Sequence, residues 1–122
     1  MTNKFEDLPL FKDAHPLVLS VYKLTKNFPQ EEKFGLTSQL RRSASSIAAN
    51  IIEGNARGHE KTFLEFLYYA KGSLDETRYH LLLARDLGYV SVEEYNEVLS
   101  RTNLVGRQLN GLVKYLKEKN KV

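Results

Sequence analysis

Apolar side chains recur at steps of three and four through four stretches of the chain, the spacing of helices buried along one face. The cleanest row is Phe63, Leu67, Ala70, Leu74, Thr77, Leu81 and Ala84, where steps of four and three alternate throughout. That is the 3.5-residue period of helices packing at shallow crossing angles. A second row, Leu36, Leu40, Ala44, Ile47 and Ile51, runs through a segment rich in small residues: Ser43, Ala44, Ser45, Ser46, Ala48 and Ala49. Small side chains let neighbouring helices approach closely, although alanine also favours helix by propensity alone. The last row is Val92, Tyr95, Leu99, Thr102, Val105, Leu109, Leu112 and Leu116. Ser91 with Glu94 three residues on reads as a capping box at its start. The first row is Phe11, Ala14, Val18, Val21, Thr25 and Phe28, with Asp7 as candidate N-cap and Pro9 in the first turn. Pro16 lies inside it, so either a kink or a helix beginning at Pro16 is expected.

Three connections separate these rows: Asn27–Glu31, Gly54–Gly58 and Gly88–Ser91, each carrying Pro or Gly. Short helix–helix connections force antiparallel neighbours. The expected fold class is therefore all-α, an antiparallel up-down four-helix bundle, with helices at about 8–27, 33–54, 58–87 and 91–119 of a single domain spanning 1–122.

A charged fraction of 27% against 42% apolar is a globular balance and excludes general disorder. With no cysteine, neither disulfides nor thiolate chemistry is available. Met1–Asp7 has no apolar run of a signal peptide, and no stretch approaches the ~18 apolar residues of a membrane span. A cytoplasmic protein with no membrane association is expected. The net charge of +3 is unevenly placed. From Arg101 on, Arg101, Arg107, Lys114, Lys117, Lys119 and Lys121 face a single acid, Glu118, while the first hundred residues are slightly acidic. Such asymmetry points to an anionic partner.

Candidate chemistry is sparse. His15, His59 and His80 fall on different helices without a second ligand at helical spacing, so no metal site and no cofactor is expected. Glu93, Glu94 and Glu97 complement the dipole of a helix start, and no nucleophile–base pair or phosphate-cradling loop is present. No catalytic residue is assigned. Asn50 and Glu53, one turn apart, read as a structural polar network reaching Arg41, Arg42 or the amides near Gly54, with a polar site as the alternative. Arg107, Asn110, Lys114, Lys117 and Lys121 follow at steps of three and four, forming one stripe roughly opposite the apolar row. A charge run of this kind is either a solvated face or a set of phosphate contacts for nucleic acid, with Arg41 and Arg42 as possible additions. Leu64, Tyr68, Tyr79 and Leu82 form a second stripe about 100–160° from the row at Phe63, with Gly72 between them. Apolar surface beyond the needs of one core marks them as a candidate oligomer interface.

The segment Leu36-Thr37-Ser38-Gln39-Leu40-Arg41-Arg42-Ser43-Ala44-Ser45-Ser46-Ile47-Ala48-Ala49-Asn50-Ile51-Ile52-Glu53-Gly54 resembles the signature of a bacterial family named for proteins encoded in 23S rRNA intervening sequences. Supporting matches are Phe5–Leu8, Tyr22–Thr25 with Phe28-Pro29, Ala70–Glu76 and Leu87-Gly88-Tyr89, so the resemblance covers nearly the whole chain. It departs at Phe11, where Trp is frequent, at Pro16, at Ala48, where Pro is frequent, and at Ile52, where Ala is common. The resemblance implies an antiparallel four-helix bundle assembling into a homopentamer, with RNA binding as the suggested role. A similar bundle serves diversity-generating retroelements as an accessory to a reverse transcriptase. The expectation is thus a non-enzymatic homo-oligomer binding RNA or another polyanion, the alternative being a scaffold for a protein partner.

Overall fold

The computed structural model describes residues 4–121. Four α-helices account for most of them, α1 (Pro9–Thr25), α2 (Leu36–Ala56), α3 (Glu60–Asp86) and α4 (Val92–Lys119), and no strand occurs among the described residues. Short 3-10 turns at Phe5–Asp7 and Gln30–Glu32 precede α1 and α2. The buried apolar side chains of all four helices form one cluster. None of the helices among the described residues is long and apolar enough to cross a membrane.

The expected rows of α2 and α3 are the buried faces observed, from Leu36 to Ile51 and from Phe63 to Ala84. Two rows shift. In α1 the inward face is Leu10, Ala14, Leu17, Val21 and Leu24, while Phe11 turns outward onto Phe5 and His15. Adjacent apolar pairs, Leu10 with Phe11 and Leu17 with Val18, satisfied the periodicity equally, so the neighbouring helices decided between them. In α4, Val98, Gly106 and Val113 are buried and Val92 is exposed, for the same reason. The helix starts also differ from expectation. α1 begins at Pro9 with Leu8 at its N-cap, not at Asp7 or Pro16, and it runs through Pro16. α2 begins at Leu36, where Glu32 Oε1 accepts the Leu36 amide at 3.0 Å in place of a side-chain cap at the N-cap residue. The Ser91–Glu94 capping box is present as read.

The sharpest packing lies between α2 and α3. A Cβ on Gly54 would stand 2.6 Å from Phe66 Cβ and 2.9 Å from the Phe63 ring, so only glycine admits this approach. Further along the seam the Thr77 hydroxyl meets that of Ser43 at 2.9 Å, and Ser73 meets Ser46 at 2.9 Å. Small polar side chains therefore close the seam and find partners in each other, as burial demands. At the far end, Gly88 (φ 79°) ends α3, the Gly88 amide bonding Arg85 O and the Tyr89 amide bonding Ala84 O. This is a Schellman cap, whose left-handed position favours glycine. The turn it makes aims Tyr89 at the first connection, where its ring meets Phe28 and its hydroxyl donates to Glu32 Oε2 at 2.8 Å. The Leu36 amide and the Tyr89 hydroxyl hold the Glu32 carboxyl below its usual range.

Three glycine variants separate these causes. Gly54→Ala should destabilise by about 1–3 kcal/mol through overpacking. Gly111→Ala and Gly72→Ala meet nothing within 4 Å in the chain and should each stabilise the isolated chain by about 0.5–1 kcal/mol through helix propensity. Urea denaturation of the three proteins checks the opposite signs.

Candidate functional site

Along the seam opposite to the tight one, α3 and α4 leave a groove. Arg107, Asn110, Lys114 and Lys117 are exposed on the flank of α4 toward α3, and Lys121 is exposed just beyond its end. Lys61, Leu64, Tyr68 and Lys71 come from α3, at steps of three, four and three. Lys114, Lys117 and Lys121 with these four α3 residues line a hollow of about 820 Å³. Toward the α3–α4 turn it adjoins a second hollow of about 400 Å³, lined by Asp75, Arg78, Asn103 and Arg107 among others, and Lys71 and Asn110 border both. The floor is already packed: Val113 is buried and Leu64 lies against the core. Tyr68 is the open aromatic ring of the groove, 44% exposed, with the Lys71 ammonium 5.9 Å from its centroid.

Most cations of the groove stand without an ion-pair partner. Among the described residues, the ion pairs join Arg42 to Glu76, Arg57 to Glu53, Arg78 to Asp75, Arg85 to Asp86 and Lys119 to Glu60. None involves Lys61, Lys71, Arg107, Lys114, Lys117 or Lys121. Glu118 is the acid on the lower wall. Arg78 is the exception among the groove cations. It lies across the seam in a notch left by Gly106, whose Cβ would come 2.8 Å from the guanidinium. There it donates to Thr102 O at 3.2 Å, Asn103 Oδ1 at 3.3 Å and Asp75 at 2.9 Å, and so ties α3 to α4. Like-charged lysines held on two facing walls, each without a carboxylate, make a surface suited to a polyanion.

The other expected residues lie elsewhere. Arg41 covers the Tyr22 ring at 4.7 Å and donates to Thr25 Oγ1 at 2.7 Å, binding α2 to α1. Arg42 bonds Gln39 and Glu76. Neither lines the groove. Asn50 and Glu53 do not share a network with these arginines: Asn50 donates to Ser46 O and Oγ on its own helix, and Glu53 pairs with Arg57 on the surface. Helical rotation explains this, since positions three apart on α2 diverge between the α3 seam and solvent. Of the second apolar stripe, Leu64 and Leu82 are half-buried, while Tyr68 and Tyr79 are exposed at 44% and 58%. Only Leu64 and Tyr68 of the four line the larger hollow, because Tyr79 and Leu82 lie further along α3 on much the same side. Lys61 and Lys71 went unrecognised in the sequence reading. Their spacing with Leu64 and Tyr68 was visible, but the pairing of that flank with the α4 stripe was not.

Among the described residues no three His, Asp or Glu side chains gather as metal ligands. His80 is partly buried between α3 and α2, its Nδ1 without a hydrogen-bond partner, and its pKa is lowered chiefly by burial, with Glu76 opposing and Arg42 reinforcing the shift.

The chain and its fold sit within a known family. This chain belongs to the 23S rRNA-intervening sequence protein family, whose sequence model matches residues 6–111. The same fold is seen in a crystal structure, at 1.70 Å resolution, of a protein with unknown function from the S23 ribosomal protein family of Bacteroides thetaiotaomicron. The two chains are 24% identical, the match covers 86% of this chain and 98% of that one, and the TM-score is 0.77. That likeness is one of fold. No curated protein matches the chain.

The lowered pKa of His80 has a stability consequence. Unfolded, the imidazole binds a proton near its ordinary value of 6.5, whereas the folded chain resists protonation until lower pH. Stability should therefore fall as pH drops below about 6.5. His80→Gln should flatten that limb below about pH 6.5 in urea titrations. An unchanged limb in the variant would assign the acid sensitivity to the carboxylates.

Proposed function

We propose that this chain is a non-enzymatic, homo-oligomeric helical protein of the cytoplasm that binds RNA through the cations of the α3–α4 groove. The observation that carries this reading is the set of lysines and Arg107 on both walls, none engaged by a carboxylate among the described residues. Contacts to nucleic-acid phosphates come largely from lysine and arginine side chains such as these. The family's tie to intervening sequences of 23S rRNA agrees with an RNA partner. The helices run antiparallel in up-down order on this reading. Its support is that Lys119 near the end of α4 meets Glu60 at the start of α3, and Arg41 early in α2 meets Thr25 at the end of α1.

Self-association, as a pentamer by family resemblance, is assigned to the outer face of α3. Tyr69 and Tyr79 are exposed there, and Gly72 has open space around it. A glycine inside a helix costs about 1 kcal/mol relative to alanine, and a second copy's close approach would give it a use. Repetition of the groove around a closed assembly would add weak phosphate contacts as avidity.

Two measurements test these statements separately. Light scattering should give a particle several times the 14.0 kDa chain, and Tyr79→Glu should reduce it. A monomeric native protein at micromolar concentration refutes the assembly. In RNA titrations, changing Arg107, Lys114 and Lys117 together to Gln should leave helicity intact and weaken binding. The slope of log affinity against log salt should shrink by about 2, the loss of three phosphate contacts to a single strand. An unaltered slope moves the site off the groove, and no RNA binding by the native protein at low salt favours a protein partner.

A further inference from the structure

We propose that the α3–α4 groove is a single-strand channel, in which RNA phosphates follow the lysine walls and one base stacks on Tyr68. This names the form of RNA taken by the site above and rests on that reading. From Asn103 to Lys119 the α4 wall is about 24 Å long at ~1.5 Å per residue, and Lys121 follows just beyond its end. Cations border the two adjoining hollows along that length, with Arg107, Lys114 and Lys117 from α4, and Lys121 after it, opposite Lys61 and Lys71 from α3.

Tyr68 decides between possible occupants. A duplex presents phosphates and base edges but keeps the faces of its bases stacked inside, so it would have no use for an open ring. An unpaired base offers its face to any aromatic, and the contact is tolerant of sequence because every base has one. The Lys71 ammonium lies over one face of the ring, 5.9 Å from its centroid, which leaves the other face to a base and keeps a phosphate-binding charge close to it. An acidic amphipathic helix would satisfy the same charges, but it docks through a row of apolar anchors at successive turns. The floor offers it no such row. Of its apolar lining, Val113 is buried and Leu64 is half-buried against the core, so Tyr68 is the one exposed apolar side chain, enough for a base and too little for a helix face. A second copy of this chain would bring lysines against lysines if it presented the same groove.

Fluorescence anisotropy with the full chain tests the channel, using a labelled RNA single strand of about 12 nucleotides and a duplex of the same length. The native protein should bind the single strand about tenfold or more tighter than the duplex at equal salt. Tyr68→Phe keeps the ring and should bind like the native protein. Tyr68→Leu keeps apolar bulk without the ring, and should lose about 5- to 100-fold in single-strand affinity. Its salt slope should be unchanged, because no cation is removed. Helicity and particle size, measured for each variant, should match the native protein. Equal affinity for the two RNAs with an indifferent Tyr68→Leu overturns the channel, and leaves the phosphate reading standing if the triple glutamine variant still loses affinity. A smaller particle for Tyr68→Leu also overturns it, by assigning the ring to a contact between copies. No binding to either RNA at low salt removes both readings, and binding of an acidic helical peptide in its place would identify the occupant.

Discussion

The close approach of α3 to α2 sets the shape of everything around it. Gly54 lets the Phe63 and Phe66 rings come against the α2 backbone, and the Ser43–Thr77 and Ser46–Ser73 contacts hold the seam shut further along. The hydroxyls carry their own solution to burial. Thr77 also bonds Ser73 O and Ser43 bonds Leu40 O, so the seam contains no hydroxyl left without a partner. A seam built from such small groups is narrow, and α3 packs far more closely on α2 than on α4.

What is gained on one side of α3 is lost on the other. Larger side chains on α3 and α4, together with the pull of the small-residue seam, leave the α3–α4 side open as two adjoining hollows. Arg78 and Gly106 limit the opening. A guanidinium that reaches over a glycine notch to Thr102 and Asn103 is a polar strut, and its charge is spent on Asp75 and on these acceptors. The lysines further down have no such acceptors. They stand along two walls without carboxylate partners, and lysines that neutralise phosphates release the counterions of a polyanion on binding. Structure and interaction are thus divided along a single groove, with the anchoring arginine at one end and the free lysines toward the other.

The two ends of the molecule are fastened differently. Near the α3–α4 turn, the Schellman cap at Gly88 directs Tyr89 onto Phe28 and Glu32, and Glu32 in turn caps α2. One carboxylate thereby joins both connections at that end. At the opposite end Lys119 and Glu60 form an exposed ion pair, an interaction type worth little in water. The polar fastening through Glu32 lies away from the lysine-rich part of the groove, where the tight contact of Gly54 with Phe63 and Phe66 holds α2 and α3 together instead.

Much of this was legible in the chain before any coordinates. Four helices, the inward rows of α2 and α3, and the Ser91 capping box follow from local spacing, because periodicity and capping are properties of consecutive residues. The confinement of positive charge to one flank of the last helix is legible for the same reason. Where two adjacent rows were equally apolar, as with Leu10 and Phe11 or Leu112 and Val113, the period could not say which faced inward, since one residue is only 100° of rotation. The partners of single polar groups were equally hidden. Arg41 goes to Thr25 and Tyr22, Arg42 to Glu76, and Glu53 to Arg57, and only the first two reach another helix. Tyr68 shows the limit most clearly. By sequence it belongs to an apolar stripe on α3, and only the packing of α4 alongside sets Lys114, Lys117 and Lys121 across from it. Which flank of one helix faces which flank of another is fixed by how closely each seam closes, and that depends on all four helices at once.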